Sequence, residues 1–187
     1  MAIVTDWTLE QFLRLPETKP ALEFECGRIS QKVSPTTEHS VLQKHLVKLF
    51  DALDVGQAFP ELRTVLPTAS KVPDVAFYVT AELPMSPTRR WLRYPEWAPT
   101  VAIEIASPDQ DLDELREKCR FYVREGSKLA LLVLPETEQI ELVPASVGPA
   151  GARASYAGNG PIHELVEVLG AGATAITPAA IFAALHP

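Results

Sequence analysis

Two carboxylates stand inside runs that otherwise read as buried strands. Asp74 lies in Lys-Val-Pro-Asp-Val-Ala-Phe-Tyr-Val (71–79), and Glu104 lies in Thr-Val-Ala-Ile-Glu-Ile-Ala-Ser-Pro (100–108). The flanking residues are apolar and β-branched, the pattern of a strand covered on its faces. A carboxylate in such a place is costly unless it is paired, hydrogen-bonded or bound to a metal. Two of them constrain the fold: if their strands are neighbours in register, both acids face one site. Lys118 follows Glu104 by fourteen residues and supplies a cation.

The alternation of side chains along a strand sharpens this. Ala102, Glu104 and Ala106 share one face, and Val101, Ile103 and Ile105 share the other. Glu104 thus sits between two small neighbours, with room for an ion, a water or a phosphate. Asp74, Ala76 and Tyr78 share a face of the earlier strand. Carboxylate oxygens suit Mg²⁺ or Mn²⁺ rather than zinc. On a helix starting near 111, three- and four-residue steps bring Asp111, Leu115, Lys118 and Tyr122 to one side. From there Lys118 can reach the sheet, to position an attacking water or stabilise a transition state.

Each residue has a plainer reading beside the functional one. A Pro-Asp pair often marks a turn or a sheet edge, which would account for Asp74. Lys118 could be a solvated partner of Glu114. Glu23, which shares a face with Glu25, could face the site or solvent. His39 could join the site or merely cap its helix. The segment 80–99 is a loop rich in Pro and Arg. Its Trp91 and Trp97, with Arg89, Arg90 and Arg93, could touch nucleic acid or pack onto the body.

The remaining elements follow from periodicity and punctuation. Thr8 and Gln11 form a capping-box pattern that opens an N-terminal helix within 1–20, through about Leu15. Residues 21–26 and 28–33 read as a hairpin turning at Cys26-Gly27. A helix over 37–53 carries Leu42, Leu46, Leu49 and Leu53. Strands are expected at 57–66, 71–79, 100–106, 129–134, 139–143 and near 163–169. Helices are expected at 111–126 and 178–185, and 144–161 reads as a surface loop. The whole predicts one α/β domain over 1–187, of mixed α+β character, with a central mixed sheet flanked by helices.

Charge and cysteine use narrow the function. A net charge of −7 argues against generic coating of nucleic acid, which needs a basic surface. Cys26 and Cys119 match neither a zinc motif nor a disulfide framework. No apolar run is long enough for a bilayer, and the N-terminal residues lack the pattern of a secretory signal. A cytoplasmic location is expected.

At these motifs the chain resembles the Uma-two family, a bacterial set of endonucleases with a restriction-endonuclease-like, PD-(D/E)XK fold. Trp7-Thr-Leu-Glu-Gln-Phe-Leu13 resembles the family's opening helix, and Leu22-Glu-Phe-Glu-Cys-Gly-Arg28 resembles its hairpin. Ser34-Pro35 followed by His39 is similar to its helix start. Val72-Pro-Asp-Val75 and Ile103-Glu-Ile-Ala-Ser-Pro108, with Asp111, Lys118 and Tyr122, match its central blocks. The resemblance implies that Asp74 and Glu104 bind Mg²⁺ or Mn²⁺, that Glu23 is an outer acid, and that Lys118 is the superfamily's lysine moved from strand to helix. His39, Asp111 and Tyr122 would be accessory. Where a Glu-x-Lys would place its lysine, this chain has Ala106. Leu129-Ala-Leu-Leu132 replaces an aromatic strand signature, and Cys26 replaces an acidic hairpin residue. The implied activity is endonucleolytic hydrolysis of nucleic acid, DNA first, by a homodimer. The alternative is an inactive nuclease-fold protein that binds DNA or a protein.

Overall fold

The computed structural model describes residues 6–108, 110–144 and 154–186. The chain opens with α1 (Leu9–Leu13), whose capping box pairs Thr8 with Gln11 in both directions. β1 (Leu22–Glu25) and β2 (Arg28–Gln31) form a hairpin. Its turn needs two consecutive positive φ angles, 45° at Cys26 and 82° at Gly27, which is why a glycine stands there. α2 (Thr37–Asp51) starts at the N-cap Thr36, whose side chain accepts the His39 N–H. Then come β3 (Gly56–Pro60), β4 (Thr64–Leu66), β5 (Ala69–Lys71) and β6 (Val75–Val79). β7 (Val101–Ile105), α3 (Leu112–Arg124) and β8 (Leu129–Leu134) form a strand–helix–strand crossover. β9 (Gln139–Pro144), β10 (Ala154–Tyr156), α4 (His163–Leu169) and α5 (Pro178–Phe182) complete the order.

Among the described residues the central sheet has six strands in the order β10-β9-β8-β7-β6-β3. Only β7 and β8 run parallel, as a helical crossover requires; the other neighbours are antiparallel. A second antiparallel sheet has the order β2-β1-β5-β4. The expected mixed sheet flanked by helices is present, and the second sheet adds to it.

The two faces of the central sheet pack differently. On one face Val101, Ile103 and Ile105 meet Leu42, Leu46 and Phe50 of α2, Leu165 and Leu169 of α4, and Ile181 and Phe182 of α5. Each such side chain contributes about 1.5–3 kcal/mol by leaving water. On the other face Ala102, Ala106, Ala130 and Leu132 meet Leu115, Cys119, Phe121 and Tyr122 of α3. Leu66 and Ala69 of the second sheet join this cluster, so the second sheet and α3 cover the same side.

Three expectations are corrected. Residues 163–169 form α4, not a strand: Leu165 and Leu169 are four apart and both buried, the spacing of one helical face. The single strand expected at 57–66 is β3 and β4, which belong to different sheets, with Glu61 at a φ of 48° between them. The loop expected at 144–161 contains β10, which pairs with β9 from Ala154↔Leu142 to Tyr156↔Ile140; its residues 145–153 lie outside the described residues. Among the described residues no helix is long and apolar enough to cross a membrane.

Candidate active site

The site lies on the α3 side of the central sheet, where β6 begins and β7 ends. The antiparallel register pairs Val75 with Ile103 and Ala76 with Ala102. Carried one step further, it sets Asp74 opposite Glu104. Asp74 lies just before β6 rather than within it, and its side chain bridges to the neighbouring strand: Oδ2 accepts the Ile105 N–H at 2.7 Å. The two acids that interrupted apolar runs are therefore buried neighbours, at 2% and 1% exposure.

Each acid has its own cation. Lys118 extends from α3 to the sheet, with Nζ 2.9 Å from Glu104 Oε1 and 2.8 Å from Glu23 Oε1. Tyr122, one turn along α3, donates its hydroxyl to Glu104 Oε1 at 3.0 Å. Lys32, just past β2, places Nζ 2.5 Å from Asp74 Oδ1. Both ammonium groups also approach the Val72 carbonyl oxygen, at 2.9 Å for Lys32 and 3.4 Å for Lys118. The Val72 N–H donates to Glu23 Oε1 at 2.8 Å. Val72 is thus the backbone knot that ties the two lysines and the outer acid together.

A polar chain runs from the same centre towards α2. His39 Nε2 lies 3.3 Å from Asp74 Oδ1, and its Nδ1 lies 3.2 Å from Ser107 Oγ. Gln43, one turn further along α2, donates to the Asp74 carbonyl at 2.8 Å. Ser107 borders a cavity of about 190 Å³ that Thr36, Glu38 and Gln110 also line. Gln110 accepts the Ser107 N–H at 2.7 Å and so fixes the chain leaving β7.

Three carboxyl groups, Glu23, Asp74 and Glu104, face the two ammonium groups of Lys32 and Lys118. The acids share the burden unequally. Burial works against the Asp74 carboxylate, but Lys32 and His39 outweigh it and hold the group well below the usual carboxylate range. Burial likewise opposes Glu23, and Lys118, Lys32 and Lys71 win, so its pKa is lowered. Glu104 goes the other way: burial pushes it up to about 7, Lys118 opposes the shift, and the Asp74 charge adds to it. Burial should release the Lys118 proton, yet Glu104, Glu23 and Asp74 raise its pKa instead. Burial and the Glu104 carboxylate raise Tyr122 well above its ordinary value, so it remains a donor.

The structure therefore brings Glu23, His39, Asp74, Glu104, Lys118 and Tyr122 to one place. Asp111 is elsewhere: it is the N-cap of α3, and its exposed carboxylate accepts the Asp113 N–H at 2.8 Å. Lys32, Gln43 and Ser107 are the members the sequence did not single out. Ser107 carried a signal, as part of the segment after Glu104. Lys32 and Gln43 carried none, because a lysine after a hairpin and a glutamine on a helix both read as solvated.

Asp74, just before β6, and Glu104 on β7 offer hard oxygens of the kind that hold Mg²⁺ or Mn²⁺. Among the described residues, however, no three His, Cys, Asp or Glu side chains are grouped as a metal site. The two ammonium groups stand against the oxygens that an ion would use.

The family comparison decides the relationship. Residues 9–177 match the model of the Uma2 family, described as "Putative restriction endonuclease". The chain belongs to this family. Among solved structures it is similar to a crystal structure described as "a putative nuclease belonging to DUF820" from Anabaena variabilis ATCC 29413. The two share 24% identity with a TM-score of 0.83, over 96% of this chain and 99% of that one. This likeness establishes a shared fold across nearly the full length. No curated protein matches the chain.

Proposed function

We propose that this Uma2 family member is a divalent-metal-dependent endonuclease that hydrolyses nucleic-acid phosphodiester bonds, with DNA as substrate. The observation that carries the reading is the buried Asp74–Glu104 pair with Lys118 seated on Glu104. Asp74 and Glu104 would hold Mg²⁺ or Mn²⁺, with Lys32 and Lys118 giving way. Bound there, the ion supplies Lewis-acid stabilisation of the phosphate and a water of lowered pKa.

The chain's own residues have roles set by their charge. Lys118 keeps its proton, since its pKa is raised. Its part is to orient an attacking water or offset charge on the phosphate, not to act as a base. Tyr122 positions Glu104 by donating to Oε1. Glu23 positions Lys118 and anchors Val72. His39 and Ile105 fix the two oxygens of Asp74. A homodimer in the cytoplasm, which would bring two such centres together, completes the proposal.

A second reading has support in the same geometry. Both acids already have an ammonium partner, and no three-ligand group exists among the described residues. A protein held in that state would bind DNA or a protein without cutting. Plasmid nicking separates the two readings. Purified protein is incubated with supercoiled plasmid and Mn²⁺, beside Glu104→Ala and Lys118→Ala. The endonuclease reading expects nicking by the wild type alone. No nicking with any divalent metal supports the binding reading, and equal nicking by all three proteins removes Glu104 and Lys118 from the chemistry.

A further inference from the structure

The segment between Glu82 and Glu96 holds Arg89, Arg90 and Arg93 and no carboxylate. Among the described residues none of the three lies within ion-pairing distance of an acid, whereas Arg14, Arg116, Arg120 and Arg124 are all paired. In a chain of net charge −7, these three arginines, of which Arg93 also acts on the Glu17 carboxylate, form a local anion-attracting surface. Trp91 stands among them. It is 53% exposed, yet it is held in place, with its ring 5.7 Å from Phe59 at an interplanar angle of 72°. Arg93 lies over the Tyr94 ring at 5.1 Å.

This surface continues into a groove of about 470 Å³ lined by Lys19, Arg63, Arg93, Tyr94 and Val72. Glu17 and Glu61 also line it; the Glu17 carboxylate accepts the Tyr94 hydroxyl at 2.6 Å and stays ionised, with Arg63 and Arg93 acting on it. Val72 is the same residue whose carbonyl oxygen meets Lys32 and Lys118. The groove thus shares Val72 with the candidate active site.

We propose that Arg89, Arg90, Trp91 and Arg93, with this groove, form a track for a single-stranded nucleic-acid segment. A base stacks on Trp91, the arginines meet phosphates, and the strand runs to Val72. The choice of a nucleic acid rests on the nuclease reading above. The choice of a single strand rests on the surface itself. A duplex hides its base faces and needs a broad basic surface, whereas an exposed indole beside a narrow cationic track suits unpaired bases.

The test is fluorescence anisotropy of labelled dT15, rU15 and a 15-base-pair duplex in EDTA, so that no cutting intervenes. The single strands should bind more tightly than the duplex, and the tighter of dT15 and rU15 assigns the sugar. Trp91→Ala should weaken single-strand binding by about five- to a hundredfold, and Trp91→Phe should restore most of it. Arg90→Glu, on an exposed side chain, should lower the slope of log affinity against log salt by about 0.7. Unchanged binding in both Trp91→Ala and Arg90→Glu, or tighter binding of the duplex, overturns the track. No cleavage of dT15, rU15 or plasmid with Mn²⁺, while Trp91-dependent binding stays intact, would remove the nuclease reading alone.

Discussion

One strand, β7, carries an apolar face and a charged one. Towards α2 it presents Val101, Ile103 and Ile105, which lock into α2, α4 and α5. Towards α3 it presents Ala102 and Glu104, with Ala106 just beyond. The first face fills its space with branched carbon. The second leaves room around one carboxylate, and Lys118, Tyr122 and Glu23 fill that room with polar contacts. The lesson is that the period of two along a strand lets a rigid hydrophobic face hold a charged one in position. The cost of burying charge falls on the α3 face, and the α2 face supplies the packing that offsets it.

Substitutions on the two faces should separate these roles, beginning with the largest effect. Lys118→Ala leaves Glu104 without its ammonium partner and removes charge stabilisation at the phosphate. The expected loss is about 10²–10³-fold in nicking rate, read as single-turnover plasmid conversion. A variant within threefold of wild type would detach the α3 face from the chemistry. Ile103→Ala on the opposite face should cost about 2–5 kcal/mol in urea unfolding. The surviving folded protein should keep its nicking activity. Activity lost in proportion far beyond the unfolded fraction would mean that the faces are not separable.

The pH dependence sharpens the comparison further. Burial raises the Glu104 pKa from 4.5 to about 7, so the folded chain holds this proton more tightly than the unfolded chain does. The resulting stabilisation is complete below pH 4.5 and is lost as pH rises through about 7. Glu104→Gln has no proton to release. Between pH 5 and 8 its stability relative to wild type should therefore rise, by on the order of 2 kcal/mol. Urea midpoints at several pH values measure this, and parallel profiles for the two proteins would remove Glu104 as the strained member. The smallest effect is expected at Asp111→Ala. Losing this α3 cap should cost about 1 kcal/mol and leave nicking unchanged; a large activity loss would return Asp111 to the site.

What the sequence made visible on each face has a physical cause. Asp74 and Glu104 were legible because a charge inside an apolar strand has few structural explanations. Lys118 and Tyr122 were legible because helical spacing links them to one side of α3. Asp111 shared that spacing but not the outcome, since a residue at a helix start can spend its carboxylate on backbone N–H groups. Lys32 was hidden because its contact with Asp74 joins residues 42 apart in the chain. Only the packing of the hairpin beside the start of β6 creates it. The α4 segment was misread because seven residues with Leu165, Val166, Val168 and Leu169 satisfy a strand and a helix almost equally. The second sheet escaped notice because its strands β4 and β5 have only three residues each.

The α3 face of β6 and β7 is proposed as a cation-dependent centre, with Asp74 now held by Lys32 and Glu104 by Lys118. Calorimetric titration of Mn²⁺ into wild type, Asp74→Ala and Lys32→Ala tests it most directly. The account predicts saturable binding to wild type, none to Asp74→Ala, and tighter binding to Lys32→Ala, where one competing ammonium is gone. Equal binding by all three proteins, or none by any, would contradict it.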